Sequence, residues 1–379
     1  MPRQTSFIVW HDNDLDLAHW IRRNTILSSY RNISFQRLYP PTNRINFPKM
    51  PREIQELLYL DKHDIIITID ERGAQIPVIT MEFMTHTPQS QHTKQRFCRI
   101  VAAAENKVPC AFIIPEVRSS GGQFYRCTPD IFYALQKLMD IHRIPSFGYF
   151  WPHRNGVLKF SRRHPSAPKE EGQILDLFEF INLCINYAIQ ERPPTLLLRE
   201  PTLFNHLDFN RRKAYENPVD VSRYGGLSLI PTADFITRLN QDYGITESLL
   251  PNYFVGREKS LLQSHEFRAT ASQEHFRTDP YAGMQAFFDY CFCRVGETTI
   301  QRQYNLIFEA IGVNLEVYSN MYHNYWDRSC PFKESGIPVN IPLLNLHIKV
   351  GCTFTKNKQL RTYGYLSDMI IFDDFVIFG

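Results

Sequence analysis

The chain lacks the short signatures that tie a sequence to the commonest catalytic and metal-binding chemistries. No CxxC pair occurs among its eight cysteines, and the one close pair, Cys291 and Cys293, does not have the spacing of a structural zinc knuckle. The thiols therefore read as ordinary buried side chains in a reducing compartment. There is no glycine-rich phosphate loop, no GxSxG elbow and no HExxH helix, which sets aside P-loop, α/β-hydrolase and zincin chemistry. No run reaches about 18 uncharged apolar residues, the length a membrane-spanning helix needs. The opening MPRQTSFIVWHDNDLDLAHW has no apolar core of the secretory kind. The expected location is the cytoplasm or the nucleoid, with no membrane partner. Charge of one sign is scarce too: 42 basic against 39 acidic residues leave a net +3, too little to name a partner, so any nucleic-acid contact must come from local patches.

What is present suffices for a packed interior. Of 379 residues, 43% are hydrophobic and 21% charged, enough for two domains or one large one. The 19 tyrosines and 28 phenylalanines are spread along the chain, as core residues are. Apolar spacing predicts a helix over residues 14–31, entered from Asp12 or Asn13, and a short helix over 52–59 after a proline-punctuated loop. DIIITID (64–70) and IPVITMEFM (76–84), joined by ERGAQ, read as an antiparallel hairpin. A helix over 90–106, a doubly buried strand CAFIIP (110–115), a helix from Thr128 to about 142 and a strand IPSFGYF (144–150) follow. This order predicts an α/β fold with a mixed sheet covered on both faces.

SRRHPSAPKEE (161–171) reads as a linker, which divides the chain into an α/β core over 1–160 and a second domain over 161–379. The second is expected to be mainly helical, with helices near 172–191, 231–241, 281–293 and 299–312 and strands at the end, in YGYLSDMIIFDDFVIFG. Arg162 and Arg163, together with Arg211, Arg212 and Lys213 of FNRRKAY, cluster positive charge beside aromatics, a pattern suited to phosphate.

The chemistry-bearing pair is Asp64 and Glu82. In a hairpin symmetric about Gly73 each lies nine positions from the glycine, so the two face each other across the ladder and point to one side of the sheet. Like charges so placed repel, and a divalent ion with hard oxygen preference turns that cost into a binding site. Two carboxylates and one backbone carbonyl are enough for Mg²⁺, or for Mn²⁺. On this reading both residues serve the ion and neither packs the core.

HDIIITIDERGAQIPVITMEFM, followed by the helix at 90–106 and the strand at 110–115, resembles the hairpin and element order of the PD-(D/E)XK nuclease superfamily, which includes many restriction endonucleases. The resemblance covers about residues 51–150. It implies a restriction-endonuclease-like core in which Asp64 and Glu82 hold Mg²⁺ or Mn²⁺, and an enzyme that hydrolyses phosphodiester bonds of double-stranded DNA. His63 stands where the family often has proline, and Met84 stands at the lysine position two residues after Glu82. Lys94 or Gln95, at the start of the next helix, is the expected replacement, with Arg96 and Arg99 contacting phosphate. Cutting two strands makes a homodimer the economical assembly, with the second half of the chain supplying recognition or dimerisation. Two alternatives stay open: a nuclease of defence, repair or transposition acting on another nucleic acid, and an inactive nuclease-like core that only binds DNA.

Overall fold

A computed structural model describes residues 5–40, 43, 45–71, 73–84, 90–115, 117–120, 123–126, 130–151, 173–216, 218–224, 226–257, 261–268, 279–298, 301–311, 343–345, 365–373 and 376–378. The chain divides into two compact units, Met1–Pro218 and Val219–Gly379. The boundary lies at 218 and not near 160, because the segment beyond residue 172 completes the first core instead of starting a second one.

The first unit runs β1 (Ser6–His11), α1 (Leu15–Asn24), β2 (Ile33–Arg37), α2 (Arg52–Leu57), β3 (Ile65–Glu71), β4 (Ala74–Phe83), α3 (Ser90–Gln95), α4 (Phe97–Glu105), β5 (Cys110–Pro115), β6 (Val117–Ser120), β7 (Gln123–Arg126), α5 (Ile131–His142), β8 (Ser146–Trp151), α6 (Gln173–Ile189) and α7 (Phe204–Glu216). Six strands form one mixed sheet in the order β2-β1-β3-β4-β5-β8. β1, β3 and β4 are successively antiparallel, whereas β4, β5 and β8 run parallel. The hairpin, the buried strand β5 and the alternation of helices with strands appear as the sequence predicts. β1 and β2 were not expected. FIVWH and ISFQR are short, and only their pairing with β3 and with each other makes them strands.

Alternation gives the sheet two different faces. Ile65, Ile67, Ile69, Ile79, Met81 and Phe83 bury one side under α1 and α6, whose Trp20, Ile21, Phe180 and Ile181 share that core. The opposite side, which carries Asp64, Thr80 and Glu82, lies under α2, α4 and α5. Helix α1 begins where the Asp14 carboxylate accepts the Leu17 N–H at 2.9 Å, so the cap is Asp14 and not Asp12 or Asn13.

The hairpin register is less simple than symmetry about Gly73. Near the turn Ile69 pairs Ile76 and Thr68 pairs Pro77, but Ile67 pairs Ile79, so Val78 is an extra residue without a partner. Pro77 has no N–H to donate to the ladder, which makes this the natural place for a bulge. Beyond it Ile65 pairs Met81, the last pair of the ladder, and the same register continued outward sets Asp64 opposite Glu82.

The second unit runs β9 (Leu227–Ile230), α8 (Thr232–Tyr243), α9 (Asn252–Val255), β10 (Leu261–Arg268), α10 (Asp279–Phe288), β11 (Leu306–Ile311), β12 (Leu343–Asn345), β13 (Met369–Ile371) and β14 (Val376–Phe378). Among its described residues it is not mainly helical: six strands form a sheet in the order β12-β14-β13-β11-β10-β9. The helix expected over 299–312 is in its described part largely strand β11, which lies between β10 and β13 and runs parallel to both. A central parallel strand is apolar almost throughout, a pattern that periodicity does not separate from a buried helix turn. The helices expected near 231–241 and 281–293 are present as α8 and as α10 continued by a π-helical turn, Asp289–Cys293. The terminal strands pair antiparallel as a hairpin. In this unit Asp289 accepts from Arg294 and Arg302, at 2.6 and 2.8 Å, and Asp368 from Arg257 and Arg302, at 2.9 and 3.0 Å. Cys98, Cys110, Cys184, Cys291 and Cys293 are buried free thiols, as expected. Among the described residues no helix is long and apolar enough to cross a membrane.

Candidate metal centre

The carboxylate pair forms the charged centre of the first sheet. Asp64 immediately precedes β3, Glu82 is the penultimate residue of β4, and helix α4 brings two arginines over them. Arg96, the residue that caps α4, places its Nη1 2.5 Å from Glu82 Oε1, 3.3 Å from Asp64 Oδ2 and 3.1 Å from the carbonyl oxygen of Phe83. Two carboxylates and one backbone carbonyl therefore converge on a single cationic nitrogen. Arg99, one turn on, donates from Nη1 to Glu82 Oε1 at 2.7 Å and from Nε to Asp61 Oδ2 at 2.8 Å, and approaches Asp64 Oδ1 at 3.6 Å. The Phe83 N–H donates to Asp64 Oδ2 at 2.8 Å and anchors that carboxylate to the neighbouring strand.

Burial sets the electrostatics. The Glu82 side chain is wholly inaccessible and its Oε2 has no hydrogen-bond partner, whereas the Asp64 side chain keeps 18% exposure. Removal from water, and next the charge of Glu82, push the Asp64 carboxyl up to about 7 against the pull of Arg96 and Arg99. Burial alone would raise Glu82 as well, but the two guanidiniums outweigh it and hold Glu82 below the usual carboxylate range. His63 is fully buried beside the pair, and loss of hydration lowers it to about 4, so it stays neutral near pH 7.

Asp64, Glu82, Arg96 and Arg99 thus come together, although the two arginines lie on carboxylates and not on a free surface. Lys94 is engaged elsewhere: its ammonium is 2.5 Å from Asp130 at the start of α5, with the side chain 4% exposed. Gln95 is half-buried in the last turn of α3. Met84 is buried and offers no cation. Arg162 and Arg163 lie outside the described residues. Arg211, Arg212 and Lys213 are on α7, where Arg212 meets Asp208 at 3.9 Å and Lys213 meets Glu216 at 2.8 Å, so part of the charge of this basic cluster is compensated within the helix. Asp61 was not anticipated, and the only signal for it is the third acid-or-histidine position in DKHD, just ahead of β3. Replacing Lys94 with methionine is expected to cost stability, about 1.5–3 kcal/mol for a charged hydrogen bond to a partly exposed partner. Thermal melts of the purified variant should fall accordingly.

No known protein family, curated protein or solved structure matches the chain.

Proposed function

We propose that the Asp64–Glu82 centre binds Mg²⁺ or Mn²⁺ and that the protein is a metal-dependent endonuclease of PD-(D/E)XK type, hydrolysing phosphodiester bonds of double-stranded DNA in a restriction-type system. The observation that carries this reading is the convergence of Asp64 Oδ2, Glu82 Oε1 and the Phe83 carbonyl on Arg96 Nη1. Three hard oxygens disposed around one positive charge suit magnesium, which needs few protein ligands and keeps its remaining positions for water and phosphate. The second oxygen of the same carboxylate, Glu82 Oε2, is buried and has no hydrogen-bond partner. The strand arrangement adds support: an antiparallel run β1-β3-β4 with β5 parallel to β4 sets the carboxylates on a rigid sheet.

When bound, the ion supplies Lewis acidity toward a phosphoryl oxygen. Asp64 and Glu82 hold it. Arg99 stays between Asp61 and Glu82 and fixes the glutamate rotamer. Arg96, 36% exposed already, gives up the three oxygens and turns its guanidinium to a phosphate, in the role a lysine two residues after Glu82 would have filled. Two copies of the chain, one for each strand, complete the proposed assembly.

A second reading, an inactive core that binds DNA without cutting it, is favoured by the buried methionine at position 84 and by the neutralisation of both carboxylates by arginines. Supercoiled plasmid incubated with the purified chain separates the two. Nicked or linear product in Mg²⁺ or Mn²⁺, suppressed by EDTA and absent with Asp64→Asn, supports the nuclease. The asparagine can still accept the Phe83 N–H, so the fold is expected to persist. DNA retarded on a gel but uncut under either ion supports the binding module, and undiminished cleavage by Asp64→Asn refutes the assignment of the centre.

A further inference from the structure

A second cluster of ligand-type side chains lies on the other face of the same sheet. Asp176 and Glu179 are three residues apart on α6 and so share a helix face, and His206 comes from the first turn of α7. One ligand atom from each, the two carboxylate oxygens and an imidazole nitrogen, lies within 4.8 Å of the others. We propose that these three residues bind a divalent transition ion of the zinc or manganese class, at a site separate from the Asp64–Glu82 centre.

The histidine is what distinguishes this cluster from a patch of surface acids. Its side chain is 97% buried (3% exposed), its Nδ1 lies 3.0 Å from the Tyr149 hydroxyl, and its ring packs at 5.7 Å from the ring of Phe147. Metal-binding imidazoles are commonly oriented in this way, with one nitrogen tied to a hydrogen-bonding group so that the other presents its lone pair. The remaining nitrogen, Nε2, faces the carboxylates and is paired with Glu179 Oε2 at 3.8 Å. In the tautomer that keeps the proton on Nδ1, Nε2 presents its lone pair on the side of the two exposed carboxylates, where an ion would lie between them.

Geometry and chemistry agree on the class of ligand. An ion held at about 2.0–2.2 Å from imidazole and carboxylate donors brings those donors closer than 4.8 Å, and the two exposed carboxylates are free to swing inward while the histidine stays fixed. One nitrogen with two oxygens suits zinc and manganese better than calcium, which takes oxygens alone. A cavity of about 280 Å³, lined by Gly148, Tyr149, Asp176, His206 and Asn210 among others, adjoins the cluster and leaves room for water in the open coordination positions. Asn210 helps to hold the frame, accepting the Gly148 N–H at 2.9 Å on the edge strand β8. An ion here fastens α7, with Arg211, Arg212 and Lys213 on it, to α6.

Alternation along β4 and β8 separates the two centres: Glu82 points toward α4, whereas Tyr149 lies in the core beneath α6. The test therefore uses the full chain carrying Asp64→Asn, stripped with EDTA and titrated with Co²⁺ alone. The expected result is one Co²⁺ bound, with an imidazole proton resonance moved outside the diamagnetic range, and at least about tenfold weaker binding when Asp176→Asn or Glu179→Gln is added. Both added changes are at exposed positions, so folding is not at stake, and His206→Gln should abolish the shifted resonance. Co²⁺ affinity unchanged by Asp176→Asn and Glu179→Gln, or no Co²⁺ binding by the folded chain, would overturn the proposal whether or not the protein cuts DNA.

Discussion

Replacing Glu82 with alanine is expected to lower the melting temperature of the first unit by about 10 °C in the absence of divalent ions. The reason is the company the carboxylate keeps. Glu82 is inaccessible to solvent and accepts from Arg96 and Arg99, so its removal leaves two guanidiniums at a largely buried site without their shared anion. Breaking a buried pair on one side costs about 3–5 kcal/mol, and the lower end applies here because Arg96 is partly exposed and Arg99 keeps Asp61. In a unit of this size about 3 kcal/mol corresponds to roughly 6–12 °C. Glu82→Gln keeps the shape and one acceptor, so it should melt closer to the wild type. Both variants should lose Mn²⁺ binding at the pair. A Glu82→Ala protein that melts like the wild type would show that the two arginines re-solvate freely. The expectation from sequence that neither carboxylate packs the core thus needs correcting for Glu82, and the experimental consequence is that lost cleavage in Glu82→Ala would not by itself prove ion ligation. Asp64→Asn is the cleaner test.

Ion affinity at the same centre should fall about tenfold for each pH unit below about 7 and level off above it, a change of roughly a hundredfold between pH 8 and pH 5. Asp64, raised to about 7 chiefly by burial and then by Glu82, carries a proton below that pH, and an ion must expel it to bind. Glu82, held low by the arginines, is ionised throughout and adds no slope. Calorimetric titration with Mn²⁺ in two buffers of different ionisation enthalpy counts the proton directly. About one released near pH 6 and none near pH 8 is the expected result, and affinity independent of pH would mean that the arginines win and Asp64 is already ionised. The same raised pKa has a sign for stability. Between about pH 4 and 7 the folded chain retains a proton that the unfolded chain has given up, so this group makes the metal-free fold less stable as pH rises through that window.

Local chemistry was enough to find the hairpin, strand β5, helix α5 and the candidacy of Asp64 and Glu82. β-branched runs, a glycine at φ +89° in the turn and a wholly apolar strand are properties of a few adjacent residues. The facing of the two carboxylates was legible only in part. Counting outward from Gly73 arrives at the right pair because a bulge at Val78 restores what the two-residue turn had shifted. Without it Asp64 would face Met81 and Glu82 would point through the other side of the sheet. The register is therefore a matter of Pro77 and the ladder, and not of symmetry.

Long-range packing decided the rest. That Arg96 and Arg99 lie on the acids, and Lys94 on Asp130, follows from where α4 and α5 settle on the sheet, and side chains one helix turn apart in the same sequence gave no sign of which acid each would meet. The cluster of Asp176, Glu179 and His206 joins residues up to 30 positions apart through the docking of α7 against β8, and the strand identity of 306–311 comes from its two parallel neighbours. Sequence by itself determined which segments form the hairpin and its neighbouring elements and which two acids to suspect, because propensity and alternation act over a few residues. Only the tertiary structure decided what those acids touch, how deeply they are buried and where the first unit ends, because charge pairing and desolvation depend on groups that the chain brings together from far apart.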